Sequence, residues 1–185
     1  MIAYKGFNKD LTCTCGKGRF QYEIGKTYRE DKAKCANTGF HCVEEPIEVW
    51  SWYSSDTSRY CIVDASGDIN EDGENRISCT EMTILKEITL QQLGILECKW
   101  MQEHPTRAYS RHIQKDTGQD VGDGIVIVRG KNPKAKGKIG STLFILREGK
   151  GSIEEIGVFL IDGTEYKPDT YYRVDGRRCR CEKKN

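Results

Sequence analysis

Apolar and polar residues alternate along most of the chain with a period of two, the pattern of β-strands that bury one face. In the first half the pattern predicts strands over 2–7, 19–24, 59–65 and 76–88. In the second half it predicts strands over 124–129, 141–147, 153–161 and 170–174. Asp162-Gly163 and Asp175-Gly176 are turn signals, so we expect hairpin ends at both places.

One long stretch has helical spacing instead. Apolar residues recur from Leu90 to Met101, with Thr89 as the N-cap and Pro105 as the stop. A shorter helix is predicted over 45–53, because Pro46 follows an acidic residue at the position where a first turn tolerates proline. The stretch from Thr106 to Lys115 predicts a second helical element, basic and amphipathic.

These elements predict a β-rich α+β fold, with short antiparallel strands in two halves joined by a central helical segment. The expected organisation is a β-rich N-terminal domain over 1–88 with one short helix. A helical connector over 89–118 and a β-rich C-terminal domain over 119–185 follow it. The length of 185 residues suits one domain or two small ones.

Composition narrows the class of protein. Hydrophobic residues make up 37% and charged residues 31%, so the chain has enough apolar material for a core under a heavily charged surface. The uncharged apolar runs, such as 124–128 and 142–146, are far too short to span a bilayer, so no membrane partner is expected. The first residues show no basic flank followed by an apolar stretch, so we expect the protein in the cytoplasm.

Charge differs between the halves. Residues 1–88 contain 11 basic against 15 acidic residues, and residues 89–185 contain 18 against 13. Basic clusters attract phosphate, and acidic ones can mimic it. The alternative for the basic clusters is a solvated loop and chain end. The candidate residues for binding nucleic acid or a partner are Lys131, Lys134, Lys136, Lys138, Arg177, Arg178, Arg180, Arg107 and Arg111, and the acidic candidates are Glu44, Glu45 and Glu48.

Nine cysteines are many for this length, and their odd number argues against a closed disulfide framework. Cys13, Cys15, Cys35 and Cys42 could supply four thiolates to zinc, yet structural zinc sites place their cysteines in pairs two to four residues apart. Here the second half consists of two cysteines seven residues apart. The spacing therefore favours no cofactor, with zinc as the alternative.

Catalytic and nucleotide-binding motifs are absent from the sequence. His41 is the most tempting catalytic residue, and with Tyr4, Arg19 and Glu81 it suggests a nucleotide cleft of the ADP-ribosyltransferase kind. Adjacent strand residues point to opposite faces, however, so Cys42 makes a poor partner for it. A hydrogen-bonded structural histidine is the preferred interpretation. An aromatic group could stack bases or pack in the core: Trp50, Trp52, Tyr53 and Tyr60.

Three segments of the N-terminal half stand out: Lys5-Gly6-Phe7, the segment from Phe20 to Tyr28, and Gly39-Phe40-His41. They resemble the corresponding segments of a family of uncharacterised phage and prophage proteins. Residues 141–146, 158–163 and 167–172 are similar to the family's closing segment, so the resemblance covers about 1–88 and 121–175. The chain departs from the family in its central helix, which replaces small-residue repeats, and in the Cys15–Gly18 insertion. The resemblance implies a phage or mobile-element setting and assigns no catalytic residue.

Together these features predict a phage accessory protein that binds and inhibits a host defence component. One candidate target is a Cas effector nuclease, which would make the protein an anti-CRISPR. The first alternative is direct binding of DNA or RNA, and the second is an enzyme that uses a nucleotide, such as an ADP-ribosyltransferase. The sequence leans against an enzyme because it offers no recognisable active-site constellation.

Overall fold

The computed structural model describes residues 1–13, 18–73 and 75–179. It is a β-rich α+β structure with two main sheets, separated along the chain by one α-helix, which confirms the predicted fold class. The chain divides into two compact units, Met1–Leu93 and Gly94–Asn185. Within the described ranges, no helix combines the length and the apolar character needed to cross a membrane.

Among its described residues, the first unit contains seven strands and a short 3-10 helix, Pro46–Ser51. The strands are β1 (Ile2–Asn8), β2 (Thr12–Cys13), β3 (Phe20–Gln21), β4 (Thr27–Arg29), β5 (Phe40–Val43), β6 (Ser58–Glu71) and β7 (Arg76–Ile88). The main sheet runs in the order β4-β7-β5-β1-β6, with β6 also paired to β7, and all its pairings are antiparallel.

The core of the first unit is built around a buried lysine. Lys5 is 5% exposed, and its Nζ donates a hydrogen bond of 2.6 Å to the carbonyl oxygen of His41. The same Nζ lies 5.5 Å from the ring centroid of Phe7 and 5.6 Å from that of Tyr22. A buried ammonium group needs such partners, because leaving water unpaired is costly.

The motif segments of the first unit meet at this lysine. Edge-on contacts join the rings of Phe7 and Phe20 to Tyr22, and the ring of Tyr28 to both Phe20 and Tyr22. Phe40 extends the aromatic group at centroid distances of 6.1–6.3 Å. These motif residues therefore pack together, and each aromatic pair adds about 0.5–1.5 kcal/mol beyond the area that it buries.

Helix α1 (Leu90–Glu103) begins where the sequence predicts. The hydroxyl of Thr89 accepts the N–H of Gln92, while the side-chain oxygen of Gln92 accepts the N–H of Thr89. This reciprocal pair is a capping box, which satisfies two backbone donors that the first turn leaves unpaired. The predicted cap and the predicted stop before Pro105 are both confirmed.

Up to residue 179, the second unit contains five strands in a mixed sheet. They are β8 (Gln114–Gln119), β9 (Ile125–Lys136), β10 (Thr142–Gly149), β11 (Ser152–Leu160) and β12 (Tyr172–Arg173). The order is β11-β10-β9-β12, and β8 also pairs with β9. Two pairings, β9 with β10 and β8 with β9, are parallel, which differs from the antiparallel arrangement that the turn signals suggest.

The prediction of a helical element over 106–115 is wrong. Residues 104–113 form turns, and the chain enters β8 at Gln114. Buried Arg129 fixes this segment: it donates 2.7 Å to the carbonyl of Pro105 and 2.5 Å to Glu148. The hydroxyl of Tyr109 also donates to Glu148, and burial together with this carboxylate raises the pKa of Tyr109 to about 12. Contacts with the sheet therefore override the helical pattern.

A substitution in α1 tests the packing of the second unit. A methyl group at Gly94 would overlap the ring of Phe144, which is fully buried. Alanine normally stabilises a helix interior by about 1 kcal/mol relative to glycine. Because overpacking costs about 1–3 kcal/mol, we expect Gly94→Ala to lower the free energy of unfolding by about 1 kcal/mol. Urea unfolding measures it.

The matched control is Gln91→Ala on the exposed side of the same helix. It should change the free energy of unfolding by less than about 0.5 kcal/mol. A Gly94→Ala protein more stable than the parent would contradict the packing of α1 on Phe144.

Candidate nucleic-acid interface

The second half of β9 presents lysines on one face only. Lys134 and Lys136 are half-exposed, whereas Ala135 between them is fully buried. Successive strand residues point to opposite faces, and residues two apart lie about 6.6 Å from each other. The alternation therefore sets two ammonium groups side by side above a sheet whose other face is core.

Strands on both sides of β9 widen this face. Arg173 of β12 lies directly opposite Lys134, and so does Thr117 of β8. Gln119 of β8 lies opposite Lys136. Directly opposed residues in neighbouring strands share a face, so a third cation and two hydrogen-bonding side chains join the lysines.

A tyrosine lies beside the two ammonium groups. Tyr172 is 1% exposed and packs in the core, so its neighbour Tyr171 faces the other way. The Nζ atoms of Lys134 and Lys136 lie 5.3 and 5.1 Å from the centroid of the Tyr171 ring. We call this set of residues the lysine–tyrosine face: Thr117, Gln119, Lys134, Lys136, Tyr171 and Arg173.

The face carries a net positive charge. In the part of the chain that the structure describes, no carboxylate forms an ion pair with Lys134, Lys136 or Arg173. The ion pairs that the structure shows in the second unit join other residues: Lys99–Glu103, Arg129–Glu148, Arg147–Glu154, Arg147–Glu155 and Arg177–Asp175. Neighbouring like charges repel, so an anion bound here would relieve that repulsion.

The path of β9 explains how a segment that contains lysines and a proline is accommodated in a strand. Lys115 pairs with Arg129 and Thr117 with Lys134, so residues 130–133 of β9 bulge opposite Asp116 alone. Proline has no N–H for the ladder, and Pro133 lies inside this bulge. Gly130 admits the close approach of the Asp116 side chain, which a Cβ would block. Lys134 and Lys136 are therefore part of a strand, whereas Lys138 lies after its end.

The remaining predicted basic residues lie at the margins of this arrangement. Lys131 and Lys138 are exposed at either side of the strand segment. Arg177 pairs with Asp175 at 3.5 Å, and Arg178 lies opposite Tyr172. Arg180 lies outside the described residues.

Arg107 and Arg111 do not form the predicted basic helical side. They lie in the turns before β8, where the guanidinium carbon of Arg107 is 5.9 Å from the ring centroid of Trp100. Arg111 donates 3.4 Å to His112. The predicted set of binding residues lacks Tyr171, Arg173, Thr117 and Gln119. Only the strand register brings these four residues to the lysines.

The acidic candidates do not share one exposed surface. Glu45 is 3% exposed, because it is the residue at which the chain turns inward to start the 3-10 helix. Glu44 is exposed, and Glu48 accepts a hydrogen bond of 2.7 Å from Ser51. The expected acidic partner surface therefore lacks its central member.

The described cysteines that we considered as zinc ligands interact with different residues. Cys13 accepts a hydrogen bond of 3.0 Å from Tyr53, and Cys35 donates 2.9 Å to the carbonyl of Asn70. Hydrogen bonding to Cys79 and burial raise the pKa of the Cys42 thiol, which opposes the thiolate that a metal needs. Cys15 lies outside the described residues, and those described contain no group of three or more metal-ligating side chains.

The residues proposed for a nucleotide cleft also have separate partners. Arg19 pairs with Asp10, and Arg29 donates 2.5 Å to Glu81. His41 accepts a hydrogen bond of 3.1 Å at Nε2 from the backbone N–H of Ala36. These contacts give His41 a structural role, as the preferred interpretation expects.

The aromatic group at 50–60 is divided between core and surface. Tyr53 and Tyr60 are buried, and the Tyr60 hydroxyl donates 2.9 Å to the carbonyl of Tyr53. Trp52 is 52% exposed, and the guanidinium carbon of Arg76 lies 5.2 Å from its ring centroid. The group therefore offers one exposed ring, which a cation already contacts.

Comparison with protein families gives a match over the N-terminal half of the chain. The chain belongs to the family described as Domain of unknown function (DUF7666), whose model matches residues 1–96. This confirms membership in an uncharacterised family over the N-terminal half; the resemblance over 121–175 stays a prediction. No curated protein and no solved structure matches the chain.

The half-buried His41 predicts a pH dependence of stability. Burial, followed by the charges of Lys5 and Arg76, lowers its pKa below the usual 6.5. As the pH falls the unfolded chain takes up this proton first, so the contribution of His41 is complete above about pH 6.5 and is lost as the pH falls through the lowered pKa. We expect His41→Gln to flatten the decline in unfolding free energy between neutral and mildly acidic pH.

The measurement is urea unfolding of both proteins across that range. The other two of the three histidines are present in both proteins, so the difference isolates His41. Above pH 7 the variant should be about 1 kcal/mol less stable, since it loses the Ala36 hydrogen bond. Parallel pH curves for the two proteins would contradict this account.

Proposed function

We propose that this protein binds nucleic acid through the lysine–tyrosine face of its second unit. The observation that supports this proposal is the set of three neighbouring cations, Lys134, Lys136 and Arg173, which form no ion pair in the described part of the chain. Phosphate contacts by such residues supply most of the sequence-independent affinity for nucleic acid. Lys131 and Lys138 are also exposed and lie three and two residues along the chain from Lys134 and Lys136.

The composition of the face favours a polymer with many phosphates over a single small anion. The cations lie on two neighbouring strands, Lys134 and Lys136 along β9 and Arg173 on β12, whereas a small anion is usually enclosed by convergent donors. Thr117 and Gln119 are both exposed beside the cations, and both can hydrogen-bond phosphate or base edges.

We further propose that the protein serves a phage or prophage and acts in the host cytoplasm. The resemblance of the motif segments around Lys5 to phage proteins supports this setting. Within it, inhibition of a host defence component, such as a Cas effector nuclease, is a second proposed function. The same face supports it, because a protein that occupies guide RNA or target DNA competes with the effector for its ligand.

Neutralising the face tests the first proposal. We expect the triple variant Lys134→Gln, Lys136→Gln, Arg173→Gln to bind a fluorescent oligonucleotide roughly tenfold or more weakly than the parent at low salt, by anisotropy. The slope of log affinity against log salt should fall by about 0.7 for each phosphate of a single strand that the variant no longer neutralises.

The matched control removes the same charge from the first unit, in the variant Lys32→Gln, Lys34→Gln, Lys86→Gln, whose lysines are exposed. It should bind as the parent does. Equal affinity for the two triple variants, or a parent affinity independent of salt, would overturn the proposal.

Co-purification from a host lysate, with and without nuclease treatment, distinguishes inhibition by direct contact with a host protein from inhibition through the nucleic acid. Inhibition by direct contact predicts a host protein that is retained after nuclease. Nucleic-acid binding alone predicts that host proteins disappear together with the nucleic acid, and that result would count against a direct protein target.

A further inference from the structure

Tyr171 gives the lysine–tyrosine face a feature that phosphate binding does not require. Its ring lies within 5.1–5.3 Å of two ammonium groups, measured from ring centroid to Nζ. A bound phosphate at either lysine therefore lies within one nucleotide of the ring. An aromatic surface at this position is suited to the flat face of a nucleobase.

We propose that the ligand is single-stranded nucleic acid, with one base stacked on Tyr171 and the adjoining phosphates on Lys134, Lys136 and Arg173. This inference rests on the proposed function and names its ligand class. In a duplex the base faces are covered by their neighbours in the stack, and only base edges are accessible in the grooves. A single strand can present base faces and phosphates to the same surface.

In the free protein, two lysine ammonium groups already contact the Tyr171 ring. Lys134 and Lys136 lie over it, and such cation–π contacts are individually weak at exposed sites. When a strand binds, its phosphates attract the ammonium groups and its base takes over the ring. The exchange replaces the two cation–π contacts with ammonium–phosphate contacts and a base–ring stack.

Register keeps this arrangement in place before binding. The ring of Tyr172 packs in the core next to Tyr171, at 5.1 Å from the ring of Tyr166, and its hydroxyl accepts the N–H of Lys167 at 2.6 Å. Tyr172 also pairs with Ala135, which fixes Lys134 and Lys136 relative to the ring. A preorganised site spends less free energy on ordering its side chains.

Thr117 and Gln119 lie on the opposite side of β9 from β12. Side chains there can hydrogen-bond the edge of a base that an adjacent aromatic ring holds in place. The face therefore has a stacking residue, three neighbouring cations and two polar side chains, distributed over three strands. This arrangement suits a single nucleic-acid strand that crosses the three β-strands.

The experiment compares three probes by fluorescence anisotropy at one low salt concentration. The probes are a short oligothymidine, a strand of equal length whose bases are replaced by abasic residues, and a duplex of equal length. We expect the parent to prefer oligothymidine over both other probes by roughly tenfold, because base–aromatic stacking contributes that much.

Two variants identify the stacking residue. Tyr171→Ala should bind oligothymidine roughly tenfold more weakly and keep its affinity for the abasic strand and the duplex. Tyr171→Phe keeps a ring and should bind oligothymidine within about twofold of the parent. The base-free probe provides the readout that a purely structural role of Tyr171 would not change.

Each outcome separates this inference from the proposed function. If the triple cation variant binds weakly but Tyr171→Ala affects oligothymidine and abasic strand equally, nucleic-acid binding stands and base stacking is wrong. A parent preference for the duplex also overturns the single-strand inference. If the parent binds none of the probes, both proposals fall.

Discussion

Backbone pairing in the second unit holds cations closer together than their charges favour. Lys134 and Arg173 lie directly opposite each other in β9 and β12, and like charges in directly opposed positions destabilise a sheet. The same pairing places Tyr172 and Ala135 in the core, so the register cannot shift by one residue without turning the core outward. The burial of one face therefore maintains the repulsion on the other.

In the first unit, by contrast, a buried cation has its binding partners within the protein. Lys5 is enclosed by Phe7, Tyr22 and the carbonyl of His41, so its charge is satisfied within the protein. Residues that carry the family motifs pack around it, which gives those motifs a role in folding. The matched family covers residues 1–96, whereas the lysine–tyrosine face lies beyond them. Fold-forming residues and candidate binding residues are thus in different parts of the chain.

Much of the fold follows from local patterns. The strand over 76–88 and the cap at Thr89 were predictable, because alternation and a capping box are short-range signals. The extension of β9 to Lys136 was not, because Pro133 and the lysines oppose a strand locally and only the bulge beside β8 accommodates them. Burial of Glu45 likewise depends on the tertiary environment. Of the candidate site, the lysines were visible in the sequence, but Tyr171 and Arg173 needed the β9–β12 register.

The most direct measurement of the binding surface is the set of backbone amide chemical shifts in isotope-labelled protein as a short single strand is added. We expect the shifts to change along 117–119, 134–138 and 171–173, and most of the first unit to be unaffected. Perturbations concentrated around Lys5 or Trp52, with none at β9 or β12, would contradict the assignment of the binding surface.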